Sequence, residues 1–205
     1  MTFTGAVGAI FWLPLRAIIA LCSVLTGLGH AQDASVSSRG DSALGRGEYI
    51  EAVKWYSLAA DQGDDRAQLM LGFIYANGWG IPENDAEAVR WFRLAGEQGD
   101  VEAQYQLGVC YASGIGVPKD ETEARKWYSL AAWQGDRQAQ LDLAVMFDSG
   151  RGGAENDIEA FKWFSIAASR GEKYASQNMK LLKKTMTTAQ ISEAQRLAAE
   201  WKRKQ

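Results

Sequence analysis

The side chains that most often carry chemistry are scarce in this chain. Its 205 residues hold one histidine, His30, and two cysteines, Cys22 and Cys110. A histidine-based dyad or triad would need His30, and a zinc site would need several His or Cys ligands. Both His30 and Cys22 fall inside a stretch that reads as an export signal. Arg16 precedes an apolar run from Ala17 to Leu28, and Gly29-His30-Ala31 places small residues at the −3 and −1 positions of a cut before Gln32. Leu21 ahead of Cys22 is a poor fit to a lipoprotein site. The alternative is an uncleaved membrane anchor over Gly5 to Leu28, in which Arg16 would sit at a costly mid-span position. Cleavage leaves Cys110 as the lone cysteine and no histidine, so the expectation is no internal disulfide, no His/Cys metal site and no cofactor.

The remaining reactive groups also have plain readings. Carboxylates cluster at Asp64-Asp65, Asp85 to Glu87 and Asp120-Glu121. A glycosidase needs two carboxyls facing across a cleft, whereas these stand at predicted helix starts, where they cap and complement the helix dipole. Asp148 to Glu159 resembles a calcium loop at its ends, but Gly150 and Gly152 stand where oxygen ligands are required. Cys110 sits among apolar residues with no activating base, which predicts a buried, inert thiol. The sequence therefore reads as a non-enzyme.

What positions these groups is a repeat. Trp55, Trp91, Trp127 and Trp163 recur every 36 residues. Ala52, Ala88, Ala124 and Ala160 keep that step, as do Gly63, Gly99, Gly135 and Gly171, and Ala67, Ala103, Ala139 and Ala175. Gly78, Gly114 and Gly150 follow it, with Gly80, Gly116 and Gly152. A period of this length marks a stack of helix pairs. Helix A of a unit, such as 65–77, aligns Ala67, Leu71, Ile74 and Tyr75 on one stripe, and helix B, such as 85–98, aligns Ala88, Trp91, Phe92 and Ala95. Glycines stand where each helix must stop. Asp64, Asp100 and Asp136 follow as N-caps, and Asn84-x-x-Glu87, Asp120-x-x-Glu123 and Asn156-x-x-Glu159 form capping boxes. Gly72, Gly108 and Ala144 mark close helix approaches. The strict tryptophan column predicts core packing and not an aromatic ligand cage.

The phrase from Ala103-Gln104 through Leu107-Gly108, Tyr111-Ala112, Gly114-x-Gly116-Val117-Pro118-Lys119-Asp120, Glu123-Ala124, Trp127-Tyr128 and Ala131-Ala132 to Gly135-Asp136 resembles the Sel-like repeat, a two-helix relative of the tetratricopeptide repeat. The resemblance runs from about Gly47 to Leu182. It implies an all-α, right-handed α-solenoid of stacked antiparallel helix pairs. The predicted layout is a signal segment (1–31), a degenerate N-terminal cap (32–46), repeats over 47–186 with units near 64–99, 100–135 and 136–171, and a C-terminal capping helix (187–205). Two departures stand out. The unit before Trp55 lacks a full helix A, and the third loop has Gly152-Gly153-Ala154 in place of Gly-Val-Pro, which predicts a looser connection. In the last segment, Thr187-x-x-Gln190 starts a helix with Ile191, Ala194, Leu197 or Ala198, and Trp201 on one side.

The positions that the period does not explain are the candidates for function. On helix A they read Arg66, Met70, Phe73 and Asn77, then Glu102, Gln106, Val109 and Ser113, then Gln138, Asp142, Val145 and Ser149. Inner helices of solenoids line a concave surface, and a face mixing charge, amide and apolar groups suits a peptide or partner helix. Phe73, Val109 and Val145 have an alternative place in the inter-repeat core. The net charge of −3 and the absence of a basic face exclude nucleic acid as the expected partner. The family resemblance implies an adaptor for a protein or peptide partner in the cell envelope, with the membrane involved only through the export signal. Exported relatives are implicated in envelope signalling and exopolysaccharide production. The alternatives it implies are recognition of β-lactam or peptidoglycan components, and release toward a host cell.

Overall fold

The computed structural model describes residues 36–204. The predicted signal segment with Cys22 and His30, residues 32–35 of the predicted cap, and Gln205 lie outside the described residues. Among the described residues there are ten helices and no strand. They are α1 (36–45), α2 (Tyr49–Ala60), α3 (Asp65–Asn77), α4 (Asp85–Glu97), α5 (Val101–Ser113), α6 (Glu121–Trp133), α7 (Arg137–Asp148), α8 (Asp157–Ala168), α9 (Lys173–Leu182) and α10 (Thr188–Lys204). From α2 to α9 each helix packs on the next in sequence, the arrangement of an all-α solenoid.

Each boundary has a chemical cause. The carboxylates of Asp64, Asp100 and Asp136 accept hydrogen bonds from the amides of Ala67, Ala103 and Ala139 at 2.8, 2.7 and 2.6 Å, satisfying donors that open helices α3, α5 and α7. Asn84, Asp120 and Asn156 do the same for Glu87, Glu123 and Glu159 at 3.1, 3.0 and 3.1 Å. The expected reciprocal half of these capping boxes is not formed. Glu87, Glu123 and Glu159 instead pair with Arg90, Lys126 and Lys162, one turn on. A complete box does open α10, where Gln190 Oε1 accepts from the Thr187 amide at 2.8 Å and Thr187 Oγ1 accepts from the Gln190 amide at 3.3 Å.

The inter-repeat loops return with the same hydrogen bonds. Trp79 N donates to Ile74 O at 3.1 Å and Asn84 N to Tyr75 O at 2.9 Å; Ile115 and Asp120, then Arg151 and Asn156, repeat the pattern 36 residues on at 3.0 and 2.9 Å. The second loop glycine is fixed by close approach. On Gly116, at φ +68°, a Cβ would stand 2.5 Å from the Asp85 carbonyl carbon and 3.0 Å from the Ala86 nitrogen, so the loop seats on the N-terminal turn of the preceding helix B.

Two features differ from the sequence expectation. Residues 36–45, within the stretch expected to be a degenerate cap, form helix α1, a helix A shorter than α3, α5 and α7. Its Ala43 is fully buried with Ala52 and Tyr56, and Gly40 lets the Tyr56 ring approach. The third loop keeps the backbone path of the others, with Gly150 and Gly152 at φ 65° and 71° against 75° and 68° for Gly114 and Gly116. The side chain that Gly153 lacks is replaced from across the interface. Arg125 lies against Gly153 with its guanidinium carbon 5.2 Å from the Phe147 ring centroid, where Val89 occupies the equivalent position of α4.

A column absent from the sequence reading holds the layers together. Gln68, Gln104 and Gln140 are all buried, and their Nε2 groups donate to the carbonyls of Ala60, Gly96 and Ala132 at 3.2, 3.0 and 3.1 Å. Gln98 and Gln134 then donate to Gln68 and Gln104 Oε1, both at 2.8 Å. In the last unit Arg170 replaces that glutamine and turns to the Gly135 carbonyl, at 2.7 Å, and to the Trp201 ring, which leaves Gln140 Oε1 without a partner.

Candidate partner-binding face

The twelve predicted positions lie along α3, α5 and α7, and their exposure is graded along each helix. Arg66, Asn77, Glu102, Ser113, Gln138 and Ser149, at the helix ends, are exposed, while Met70, Phe73, Gln106, Val109, Asp142 and Val145 are half-buried. Phe73, Val109 and Val145 pack against the main core, and Phe73 meets Phe92 edge-on at 5.2 Å between ring centroids. These three serve the inter-repeat core as well as the face. Met70 rests on the core of the first unit.

The polar members are held in place. Arg66 pairs with Asp41 of the first unit at 2.8 Å. Gln106 donates to Glu102 at 2.7 Å, Asn77 to the Phe73 carbonyl at 2.8 Å, and Ser149 to the Val145 carbonyl at 2.7 Å. Asp142 is the member with unusual chemistry. Burial pushes its carboxyl above the ordinary aspartate range, against hydrogen bonds from Gln138 and Tyr105. Tyr105, from α5, is in turn pushed up to about 12, by burial first and then by the Asp142 charge. Sequence reasoning missed Tyr105 because leucines stand at the equivalent positions 69 and 141, so the column reads as core.

The other candidates resolve as structural groups. Cys110 is buried and its thiol is pushed up to about 11, by burial first and then by the Asp85 charge, which suppresses the nucleophilic thiolate. Glu159, the last residue of the calcium-like loop, is engaged by Lys162 at 2.6 Å and Trp163 Nε1 at 3.1 Å. No group of three or more His, Cys, Asp or Glu that could hold a metal ion occurs among the described residues. Trp91 and Trp163 are buried in the stack, and Trp55 and Trp127 are half-buried.

A regular stack of helix pairs with variable side chains along one row of helices defines a helical-repeat scaffold. Four Sel1 repeats match the family model, at residues 39–64, 65–100, 101–136 and 137–172, and the chain belongs to the Sel1 repeat family. The first match begins within α1, in agreement with the helix found there. Among solved structures, a Sel1 repeat protein from Oxalobacter formigenes is 31% identical with a TM-score of 0.66, over 71% of this chain and 60% of that one. A protective antigen of uropathogenic Escherichia coli with an SLR fold is 25% identical, with a TM-score of 0.55 over 82% of this chain and 45% of that one. Cysteine-rich protein B of Helicobacter pylori is 25% identical, with a TM-score of 0.50 over 63% of this chain and 93% of that one. This chain thus spans 60% and 45% of the first two. No curated protein matches it. Sel1 repeats generally bind protein partners, and the family is generally non-enzymatic.

Proposed function

We propose that the protein is an exported scaffold that holds a protein or peptide partner along the row formed by α3, α5 and α7. The observation that carries this reading is Asp142. It is a carboxylate whose charged form is disfavoured by burial, with hydrogen bonds from an amide (Gln138) and a phenol (Tyr105), and with the Arg151 charge offsetting the burial only in part. A lysine or arginine of a partner placed against it would recover the charge stabilisation that folding withholds. Around it the row changes from unit to unit (Arg66, Glu102, Gln138), while the flanking columns repeat, which gives each unit its own specificity.

Export rests on Arg16, the apolar run 17–28 and Gly29-His30-Ala31, and it would place the partner in the cell envelope. Envelope signalling or assembly is the setting that this location favours. Two experiments test the reading. N-terminal sequencing of protein recovered from an envelope fraction is expected to begin at Gln32, and recovery only from the cytosol with Met1 intact refutes export. In-cell crosslinking followed by titration of the captured partner is expected to show weaker binding to Asp142→Asn and Glu102→Lys than to wild type. Equal affinity for all three removes this face as the binding surface.

A further inference from the structure

We propose that helices B carry a second docking surface, a row of Leu58, Leu94 and Leu130, and that it takes an amphipathic helix of a partner protein whose apolar stripe resembles that of α10. These leucines recur every 36 residues and are 46%, 36% and 48% exposed, whereas the fourth member of the column, Ile166, is 0% exposed. The difference has one structural source. Helices α4 and α6 each pack between the two helices A that flank them, but α8 packs on α7, α9 and also α10. The stripe of α10 that meets it consists of Ala194, Ala198 and Trp201, all buried, with Ile191 half-buried at its start. Trp201 meets Trp163 at 6.1 Å between ring centroids. Among the described residues, the fold therefore displays how this face is covered in one unit and leaves the same face open in three.

The charged neighbours are already arranged for such covering. Lys54, Arg90, Lys126 and Lys162 form one column, each paired with a glutamate three residues before it, at 3.5, 2.9, 2.5 and 2.6 Å. The first three cations are 69%, 53% and 64% exposed, while Lys162, over the Trp133 and Trp163 rings and on the helix that α10 packs against, is 5% exposed and keeps its pair. A helix laid on the open units would thus bury cations that bring their counter-charges with them, and no new partner is required. Lys162 also stands 5.0 and 4.4 Å from the rings of Trp133 and Trp163, the latter ring meeting Trp133 edge-on at 5.5 Å. The covered face of α8 therefore runs on into the open face of α6. This surface lies on helices B, apart from the row of helices A assigned above.

The test uses a labelled synthetic peptide of residues 187–204 as the probe and the full chain as its receptor, read by fluorescence anisotropy. Saturable binding is expected, weakened at least ten-fold by Leu94→Lys with Leu130→Lys and unchanged by Asp142→Asn. Thermal melts of the lysine variant are expected to match wild type, since both leucines are exposed. Absence of saturable binding, or equal binding to the lysine variant, overturns the proposal. So does binding that survives the lysine changes but rises in Trp201→Ala, because the peptide is then taking the seat of α10. Sedimentation of the chain alone supplies the last outcome: dimerisation abolished by the lysine changes would assign the row to a second copy instead.

Discussion

Replacing Gly116 with alanine should weaken the solenoid at the joint between two units. The added Cβ meets the backbone of Asp85 and Ala86, which cannot swing aside as a side-chain tip would. Overpacking against rigid surroundings costs about 1–3 kcal/mol. The residue sits at φ +68°, where a Cβ adds about 1–2 kcal/mol of strain. Loss of glycine's unfolded-state freedom returns about 0.4–1 kcal/mol. The net expectation is about 1–5 kcal/mol of destabilisation. For a chain of this size that corresponds to a fall in Tm of roughly 2–20 °C. Gly47 is the matched control, since it has φ +76° and nothing within 4 Å of a built Cβ. Gly47→Ala should cost only the strain, about 1–2 kcal/mol before the unfolded-state offset. Urea unfolding followed by tryptophan fluorescence measures both. Equal losses for the two variants would show that the loop does not seat on the helix below, and the account of inter-unit packing would fail.

Three further outcomes follow from the same structure. Gln104→Leu removes two hydrogen bonds, the one it donates to the Gly96 carbonyl and the one it accepts from the Gln134 amide, and should cost about 1–3 kcal/mol in the same urea assay; an unchanged midpoint contradicts the glutamine ladder. Asp142→Asn should raise Tm at neutral pH, because the folded pKa lies above the unfolded one and the charged form opposes folding. That gain should vanish as the pH falls below the ordinary aspartate pKa, where wild type is protonated in both states, and a gain independent of pH refutes the desolvation argument. Trp201→Ala removes a ring buried between Trp163 and Arg170 and should cost about 3–5 kcal/mol. Hydrogen exchange should then speed up in α8 and α10 before α3 to α6, and uniform acceleration would show that the cap is not a separate element.

Position 144 shows how far packing depends on the partner ring. Gly72 and Gly108 lie so close to the Phe92 and Tyr128 rings that a Cβ would clash, yet the third unit carries Ala144 opposite Phe164, fully buried. An aromatic ring can shift to admit a methyl group, whereas the Asp85 backbone beneath Gly116 cannot, so the helix glycines tolerate change that the second loop glycine does not.

The sequence by itself determined what is local and repeated. Caps at Asp64, Asp100 and Asp136, left-handed glycines, and the stripe of Ala194, Ala198 and Trp201 all act within one or two turns, so spacing along the chain is enough to read them. Helix α1 escaped because its unit keeps few of the column residues, and it is held by tertiary burial of Ala43 against Ala52 and Tyr56. Tertiary structure alone decided which members of a column are covered. Leu94 and Ile166 occupy the same place in the period, and only the return of α10 onto α8 buries one and leaves the other open. It likewise decided that Arg125 replaces the missing loop side chain and that Tyr105 reaches Asp142, since both contacts join residues of different units. A period describes each unit as though its neighbours were identical; exposure and charge depend on the neighbour that is present.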